Sequence, residues 1–312
     1  MAEGCKSWSA NLHGWTACFG GLLRSISSWM IAGSETRRRG PAWDSFTASD
    51  GVRLGYCIDD FTDPWKEAPV LLLLHAAMGS ARRYYAWVPP LSRNYRVVRM
   101  DLRGHGSSQI PRADRALTLD RLVRDVTELM DHLGCADAHI VGNSAGGYLG
   151  QQMAMNHGER VRSLMLFGST PGLKHSQATS WIPQIQAKGM RAFLAETIAD
   201  RLPLDKVDPG LVEWFLDEAA KNDPSYIAKF VLLMASYDWS DQLHRIHCPT
   251  LVVVPGAEPI GSTANYEPFR QHVKDVEMRV YEGAPHNICD AFPDRCAGDV
   301  LDFLGRRFGV GV

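Results

Sequence analysis

Val141-Gly142-Asn143-Ser144-Ala145-Gly146 places Ser144 in a Gly-x-Ser-x-Gly frame. A serine hydroxyl is a weak nucleophile until a base takes its proton, and the base needs an acid to orient it. The chemistry within reach of such a serine is acyl transfer, so the rest of the chain must supply a histidine, a carboxylate and oxyanion donors. His286, in Glu282-Gly283-Ala284-Pro285-His286-Asn287, follows the last apolar β-branched run and is the histidine whose place fits. Of the others, His75 ends a strand, His105 sits in a Gly-rich turn, His132 and His157 read as helical, and His139 begins the strand before Ser144. Glu258 is the only carboxylate in Pro255-Gly256-Ala257-Glu258-Pro259-Ile260, the loop after the run Thr250–Val254. The other place where an acid could stand, Gly168-Ser169-Thr170-Pro171-Gly172, holds none. Serine, then acid, then histidine is the order expected when the serine sits on a strand-to-helix elbow.

Two backbone N–H groups are needed for the oxyanion. Ala145, next after the nucleophile, supplies one, and Ala77 in His75-Ala76-Ala77-Met78-Gly79-Ser80 is expected to supply the second. The elements around Ser144 suit that task. Ala138–Val141 is short, apolar and β-branched, as a buried strand should be, and Gly147–His157 reads as a helix that stops at Gly158. Glycines on both sides of the serine relieve a crowded, strained backbone.

The same alternation runs through the chain from residue 43. Trp43–Ala48 and Val52–Ile58 read as strands joined at an Asp50-Gly51 hairpin turn. Val70–Leu74, Tyr95–Met100, Val161–Phe167, Thr250–Val254 and Val276–Tyr281 supply further strands. Ser80–Leu91, Leu117–Leu133, the neighbourhood of Gln271 and Ala291–Phe308 read as helices. Apolar runs without polar alternation fit strands buried on both faces, so the pattern predicts an α/β fold with a mostly parallel sheet and helices on both sides. Between Gly168 and Ile246 only helices are expected: Gln184–Ile198, Pro209–Lys221 and Ser225–Tyr237. An insertion there makes a cap over the strand ends where ligands bind. Its aromatics point to an apolar or aromatic small-molecule substrate lined by Trp181 and Trp214, with about half of the aromatics serving as core. Arg83 is a further candidate, for a substrate carboxylate, although Arg82-Arg83 reads more simply as a solvated helix start.

Composition removes several classes. The formal net charge is −2, and Arg37-Arg38-Arg39 is too small a cluster to invite nucleic acid. The seven cysteines are scattered and form no Cys-x-x-Cys pair, which suits a reducing compartment better than a disulfide frame or a zinc site. No His-Glu-x-x-His suggests a metal, and Gly104-His105-Gly106 lacks the third glycine of a dinucleotide loop. No apolar run approaches the ~18 residues of a membrane-spanning helix. Trp15–Leu23 is short and broken by glycines, so residues 1–42 read as an extension of uncertain order rather than a secretory signal, and a cytoplasmic location is expected. Nothing in the chain fixes an oligomeric state.

From about residue 43 onward the chain resembles the α/β-hydrolase fold enzymes that carry a helical lid. The matching pieces are the His75-Ala76 loop, Asp101-x-Arg103-Gly104-His105-Gly106-x-Ser108, the Ser144 elbow and His286. Lys188-Gly189-Met190 is similar to a lid segment of the enol-lactonase and esterase branch. The resemblance implies a core over 43–170 and 247–312, a cap over 171–246, and a cofactor-free serine hydrolase using Ser144, His286 and Glu258 on an ester or lactone. A carbon–carbon bond hydrolase or an amidase would use the same three residues, and a non-catalytic ligand receptor could keep the same fold. Two departures stand out: Ala76 where the family has glycine, and Gly256-Ala257-Glu258 where it has Gly-x-x-Asp. The loop is one residue shorter and the acid one methylene longer, changes that offset each other in reach. The Asp101–Ser108 turn is structural in most relatives, so Arg103 and His105 are given no chemistry.

Overall fold

The computed structural model describes residues 42–309 apart from His175 and Gly261. The extension expected over 1–42 therefore lies outside the described residues, save for Ala42. The chain begins its sheet with β1 (Ala42–Thr47) and β2 (Arg53–Asp59), paired antiparallel across the Asp50-Gly51 turn, where Gly51 takes a φ of 83°. There follow β3 (Val70–Leu74), a tight 3₁₀ segment Ala81–Trp87 running into α1 (Val88–Leu91), and β4 (Arg96–Met100). Next come α2 (Leu119–His132), β5 (Ala138–Asn143), α3 (Ala145–Asn156) and β6 (Val161–Phe167). Four helices succeed them: α4 (Trp181–Lys188), α5 (Met190–Glu196), α6 (Pro209–Ala220) and α7 (Pro224–Ala235). The chain returns through β7 (Thr250–Pro255), α8 (Glu267–His272), β8 (Val276–Tyr281), α9 (Ile288–Ala291) and α10 (Pro293–Phe308).

The strands form one sheet in the order β1-β2-β4-β3-β5-β6-β7-β8, parallel from β4 to β8. The pleat sends alternate residues to opposite faces. Leu72, Leu74, Val98 and Ile140 join Val126 of α2 and Leu149 of α3 in one core. Leu71, Leu73, Val97 and Val141 join Trp87 and the α10 residues Val300 and Phe303 in the other. The chain leaves β3 toward β4 and comes back on the other side at β5, and such a reversal opens a crevice at the carboxyl ends of the strands. Ile185, Phe193, Phe215 and Ile227 from α4–α7 form a third apolar cluster, which packs on Met78 of the loop after β3. Among the described residues no helix is long and apolar enough to cross a membrane.

Three helices differ from the sequence reading, each for a local reason. Ser80–Leu91 is not one α-helix, because Pro89 and Pro90 lack the N–H groups that would bond back into the Arg82–Ala86 turn. Gln184–Ile198 is two helices, broken at Gly189 with φ 80° and ψ 163°. Ala291–Phe308 is broken at Phe292, which its neighbour Pro293 pushes out of helical geometry to φ −132°.

Arg103 anchors the sheet to α2 and to the hairpin. Its Nε and Nη2 donate to Asp125 at 2.7 and 2.6 Å, and its Nη1 and Nη2 donate to Asp50 at 2.7 and 3.1 Å. The side chains of Arg103 and Asp125 are each only 2% exposed. Removing one member of a buried ion pair strands the other's charge. Arg103→Met is expected to lower stability by about 3–5 kcal/mol in urea denaturation, since Asp125 loses its bidentate partner. A change below about 1 kcal/mol would show that Arg121, 2.9 Å from Asp125, carries the site alone.

Candidate active site

Ser144 sits between the last residue of β5 and the first of α3 with φ 49° and ψ −112°. Only Ser144 and Met78 among the described non-glycine residues take a positive φ, and both border the same pocket. The turn is too crowded for side chains at its glycines. A Cβ on Gly146 would stand 2.1 Å from the Leu74 carbonyl oxygen, and one on Gly142 would stand 2.3 Å from the Gly147 Cα. The Ser144 N–H is spent on the Phe167 carbonyl at 2.9 Å, which fixes the backbone and leaves the hydroxyl projecting from it.

Three loops converge on that hydroxyl. His286, in the loop after β8, has Nε2 3.1 Å from Ser144 Oγ, and its Nδ1 lies 3.0 and 2.8 Å from the two carboxylate oxygens of Glu258 after β7. The expected serine, histidine and acid are thus brought together. Glu267 and Asp241, two other carboxylates near this part of the sequence, are exposed on the surface. Burial pushes the Glu258 pKa up. The charge and hydrogen bond of His286, with donation from the Ile260 N–H at 3.1 Å and the Tyr266 hydroxyl at 3.2 Å, more than offset this, and the net direction is below the usual carboxylate range. Glu258 is accordingly anionic at neutral pH. With a depressed pKa in the fold, its contribution to stability is full above the ordinary carboxylate pKa and fades as pH falls through the lowered value.

Ala76, Ala77 and Ala145 border the pocket beside Ser144, with the Ala145 N–H at the start of α3, where helix N–H groups lack intrahelical acceptors. The loop that bears Ala77 is held by His75. The Leu102 N–H donates to His75 Nε2 at 2.9 Å, so the proton resides on Nδ1, which donates to the Ala76 carbonyl at 2.7 Å. Burial lowers the His75 pKa to about 4, keeping the ring neutral and that bond intact at physiological pH. Ala76 replaces glycine without strain, because the left-handed residue of this loop is Met78 instead.

The pocket holds about 600 Å³ of atom-free space, its mouth included. Trp181 borders it as expected, but Trp214 does not. On α6 the inward position belongs to the next residue, Phe215, and Trp214 packs edge-on against Tyr85 on the outer surface, ring centroids 5.2 Å apart. Arg83 also corrects the sequence reading. It is buried rather than solvated, with Nε donating to Asp290 at 2.7 Å and Nη2 bonded to the other oxygen, and Arg82 is the exposed member of the pair. Sequence reasoning passed over Asp290, Asn287, Arg201, Tyr148 and Tyr266. Asp290 and Asn287 lie within four residues of His286, Tyr148 stands four residues after Ser144 and Tyr266 eight after Glu258, signals that were available; Arg201 arrives from a distant segment with no local motif.

The glycine at 146 offers a direct test of the crowded turn. Gly146→Ala is expected to destabilise by about 3 kcal/mol or more, or to prevent soluble expression, because the contact is with backbone that cannot yield. Gly298→Ala, in α10 with nothing within 4 Å, is expected to be neutral or to stabilise by about 0.5–1 kcal/mol. Equal midpoints for the two variants in chemical denaturation would refute the packing described.

Residues 69–206 match the family model described as alpha/beta hydrolase fold. A crystal structure of a hydrolase from Pseudomonas aeruginosa superposes with a TM-score of 0.75 at 30% identity, covering 84% of this chain and 98% of that one. A 3-oxoadipate enol-lactonase from Acinetobacter baylyi is 26% identical over 85% of this chain and 97% of its own. A proline iminopeptidase from Pestalotiopsis fici is 26% identical over 78% of this chain and 92% of its own. With the strand order, the elbow serine and these relatives in agreement, the chain belongs to the α/β-hydrolase fold family and is a hydrolase.

Proposed function

We propose that this hydrolase cleaves a carboxylic ester or a lactone through an acyl-enzyme on Ser144. The observation that carries the reading is the continuous path from Ser144 Oγ through both nitrogens of His286 to Glu258. With the Nδ1 proton held by Glu258, Nε2 is free to accept the serine proton as Oγ attacks the carbonyl carbon. The oxyanion so formed would be met by the N–H groups of Ala77 and Ala145, aided by the N-terminus of α3. His286 then returns its proton to the departing alkoxide as the carbon–oxygen bond breaks, giving an alcohol, or the tethered hydroxyl of an opened lactone. In the second half-reaction water gives its proton to Nε2, attacks the acyl carbon and releases the acid, and Ser144 recovers its proton. Glu258 keeps the imidazole in the required tautomer and stabilises the transient imidazolium.

Residues 171–246 serve as the cap in this reading and 43–170 with 247–312 as the core. Met78, Leu173, Trp181, Phe215 and Phe230 give the pocket an apolar lining. This supports a small substrate with an apolar or aromatic portion, and the kinship with an enol-lactonase supports the ester or lactone bond.

Ser144→Ala is expected to reduce turnover of aryl esters by on the order of 10⁴ or more, and fluorophosphonate to form one adduct, on Ser144, seen by mass spectrometry. Glu258→Gln is expected to cut kcat by about 10²–10⁴ while the protein still folds with a modestly lowered Tm, since the amide keeps the shape but loses the charge that the fold stabilises. An adduct elsewhere, or a fully active Ser144→Ala enzyme, would sink the assignment. Trp181→Ala is expected to raise KM or shift acyl preference, and Trp214→Ala to leave both unchanged, because only the first borders the pocket. The opposite pattern in a series of esters of increasing chain length would move the substrate to the outer surface.

A further inference from the structure

Four arginines are buried among the described residues: Arg83, Arg99, Arg103 and Arg201. Three of them are neutralised in the same manner. Each offers its Nε–Nη2 edge to an aspartate, Arg83 to Asp290, Arg99 to Asp59 and Arg103 to Asp125. Arg201 departs from that pattern. Its Nη1 donates to the carbonyl and the hydroxyl of Thr197 at 3.1 and 2.8 Å; among the described residues no carboxylate hydrogen-bonds or ion-pairs with it, and the exposed Asp200 beside it in the chain acts only through its charge at longer range. Its guanidinium carbon lies 5.6 Å from the ring centroid of Trp181 and 5.6 Å from that of Phe193, so two aromatic rings fix its position. It borders the pocket that contains Ser144 and His286, at 5% exposure.

A buried guanidinium without a counter-ion is a costly state unless a ligand completes it. The bonds to Thr197 engage only one nitrogen and leave free the edge that the other three arginines give to carboxylates. Arg83 adds no net charge to the pocket, since Asp290 cancels it. The guanidinium therefore offers an unfilled edge, in a planar two-pronged geometry that matches a carboxylate. We propose that the substrate carries a carboxylate, seated against the Nε–Nη2 edge of Arg201 while its ester or lactone carbonyl lies at Ser144. Burial lowers the Arg201 pKa to about 10, and the group stays charged at neutral pH. Its main chain also touches the chemistry: the His286 N–H donates to the Asp200 carbonyl at 3.2 Å and the Asn287 N–H to the Arg201 carbonyl at 3.0 Å. The anion site is thus held in register with the histidine by backbone hydrogen bonds.

The inference rests on the reading of Ser144 as nucleophile, and two independent readouts separate them. In the first, matched esters are compared: the para-nitrophenyl monoester of glutaric acid with para-nitrophenyl pentanoate, and meta-carboxyphenyl butyrate with meta-carbamoylphenyl butyrate. One pair places the charge on the acyl side and the other on the leaving group. In one of them kcat/KM is expected to favour the carboxylate by about tenfold or more, chiefly through KM, and Arg201→Met to erase the ratio. Arg201→Lys, which keeps charge without the fork, is expected to retain part of it, and it serves as the test if the methionine variant does not fold. In the second, glutarate binding to the Ser144→Ala protein is followed by calorimetry and is expected to weaken about tenfold or more when Arg201 is also replaced by methionine, and by less when it is replaced by lysine. Equal rates within both pairs, with glutarate binding that Arg201 does not control, overturn the inference while leaving Ser144 chemistry intact. Tighter binding of inorganic phosphate than of glutarate overturns the choice of carboxylate. Absence of turnover and of a Ser144 adduct overturns the serine-hydrolase reading instead, and the calorimetry still decides the anion site.

Discussion

The turn between β5 and α3 leaves no volume for a side chain on either flanking glycine, and the rest of the site follows from that constraint. Gly146 lies against the Leu74 carbonyl and Gly142 against Gly147, so strand, turn and helix meet at backbone distance. Such closeness forces Ser144 into a left-handed conformation that an L-residue tolerates only when its surroundings over-determine it. The surroundings do so here through the bond from the Ser144 N–H to Phe167 and the apolar cores on both faces of the sheet. The same closeness brings the loop after β3 next to the first turn of α3. Two sets of N–H groups from distant parts of the chain can then face one carbonyl oxygen.

Positioning of the remaining groups is shared between the sheet and the helical layer. Strands β7 and β8 bring Glu258 and His286 to the carboxyl edge, and Tyr266 and the Ile260 N–H hold the carboxylate from behind. The layer contributes more than a cover. Its Ile198–Arg201 segment accepts hydrogen bonds from the loop that carries the histidine, and its aromatic side chains enclose a guanidinium. His75, neutral and single in its tautomer, performs the corresponding service for the loop after β3.

Ser144, Glu258 and His286 were legible in the sequence because each stands in a short loop after an apolar strand, where strand order alone brings loops together. The sheet was legible for the same reason, with strand boundaries within about two residues. Helix continuity was less so. Gly189 and Pro293 each interrupt a helix whose apolar spacing continues across the break, so periodicity hides the interruption. Trp214 was misplaced because a helix has two faces, and composition does not say which one turns inward; a step of 100° along α6 puts Phe215 there. Arg83 and Arg201 were illegible as a pair. Whether a buried arginine is neutralised depends on a partner such as Asp290, which lies 207 residues from Arg83.

The two bonds from His286 and Asn287 to the carbonyls of Asp200 and Arg201 involve main-chain atoms only. Side-chain identity in the Ile198–Arg201 segment is therefore uncoupled from the tethering of the histidine. A lineage of such enzymes can exchange side chains in this segment, one at a time, without removing either bond that anchors the histidine loop. Main-chain tethering of this kind makes a pocket easy to repurpose: selection for a new substrate acts on side chains, and the chemistry is inherited unchanged.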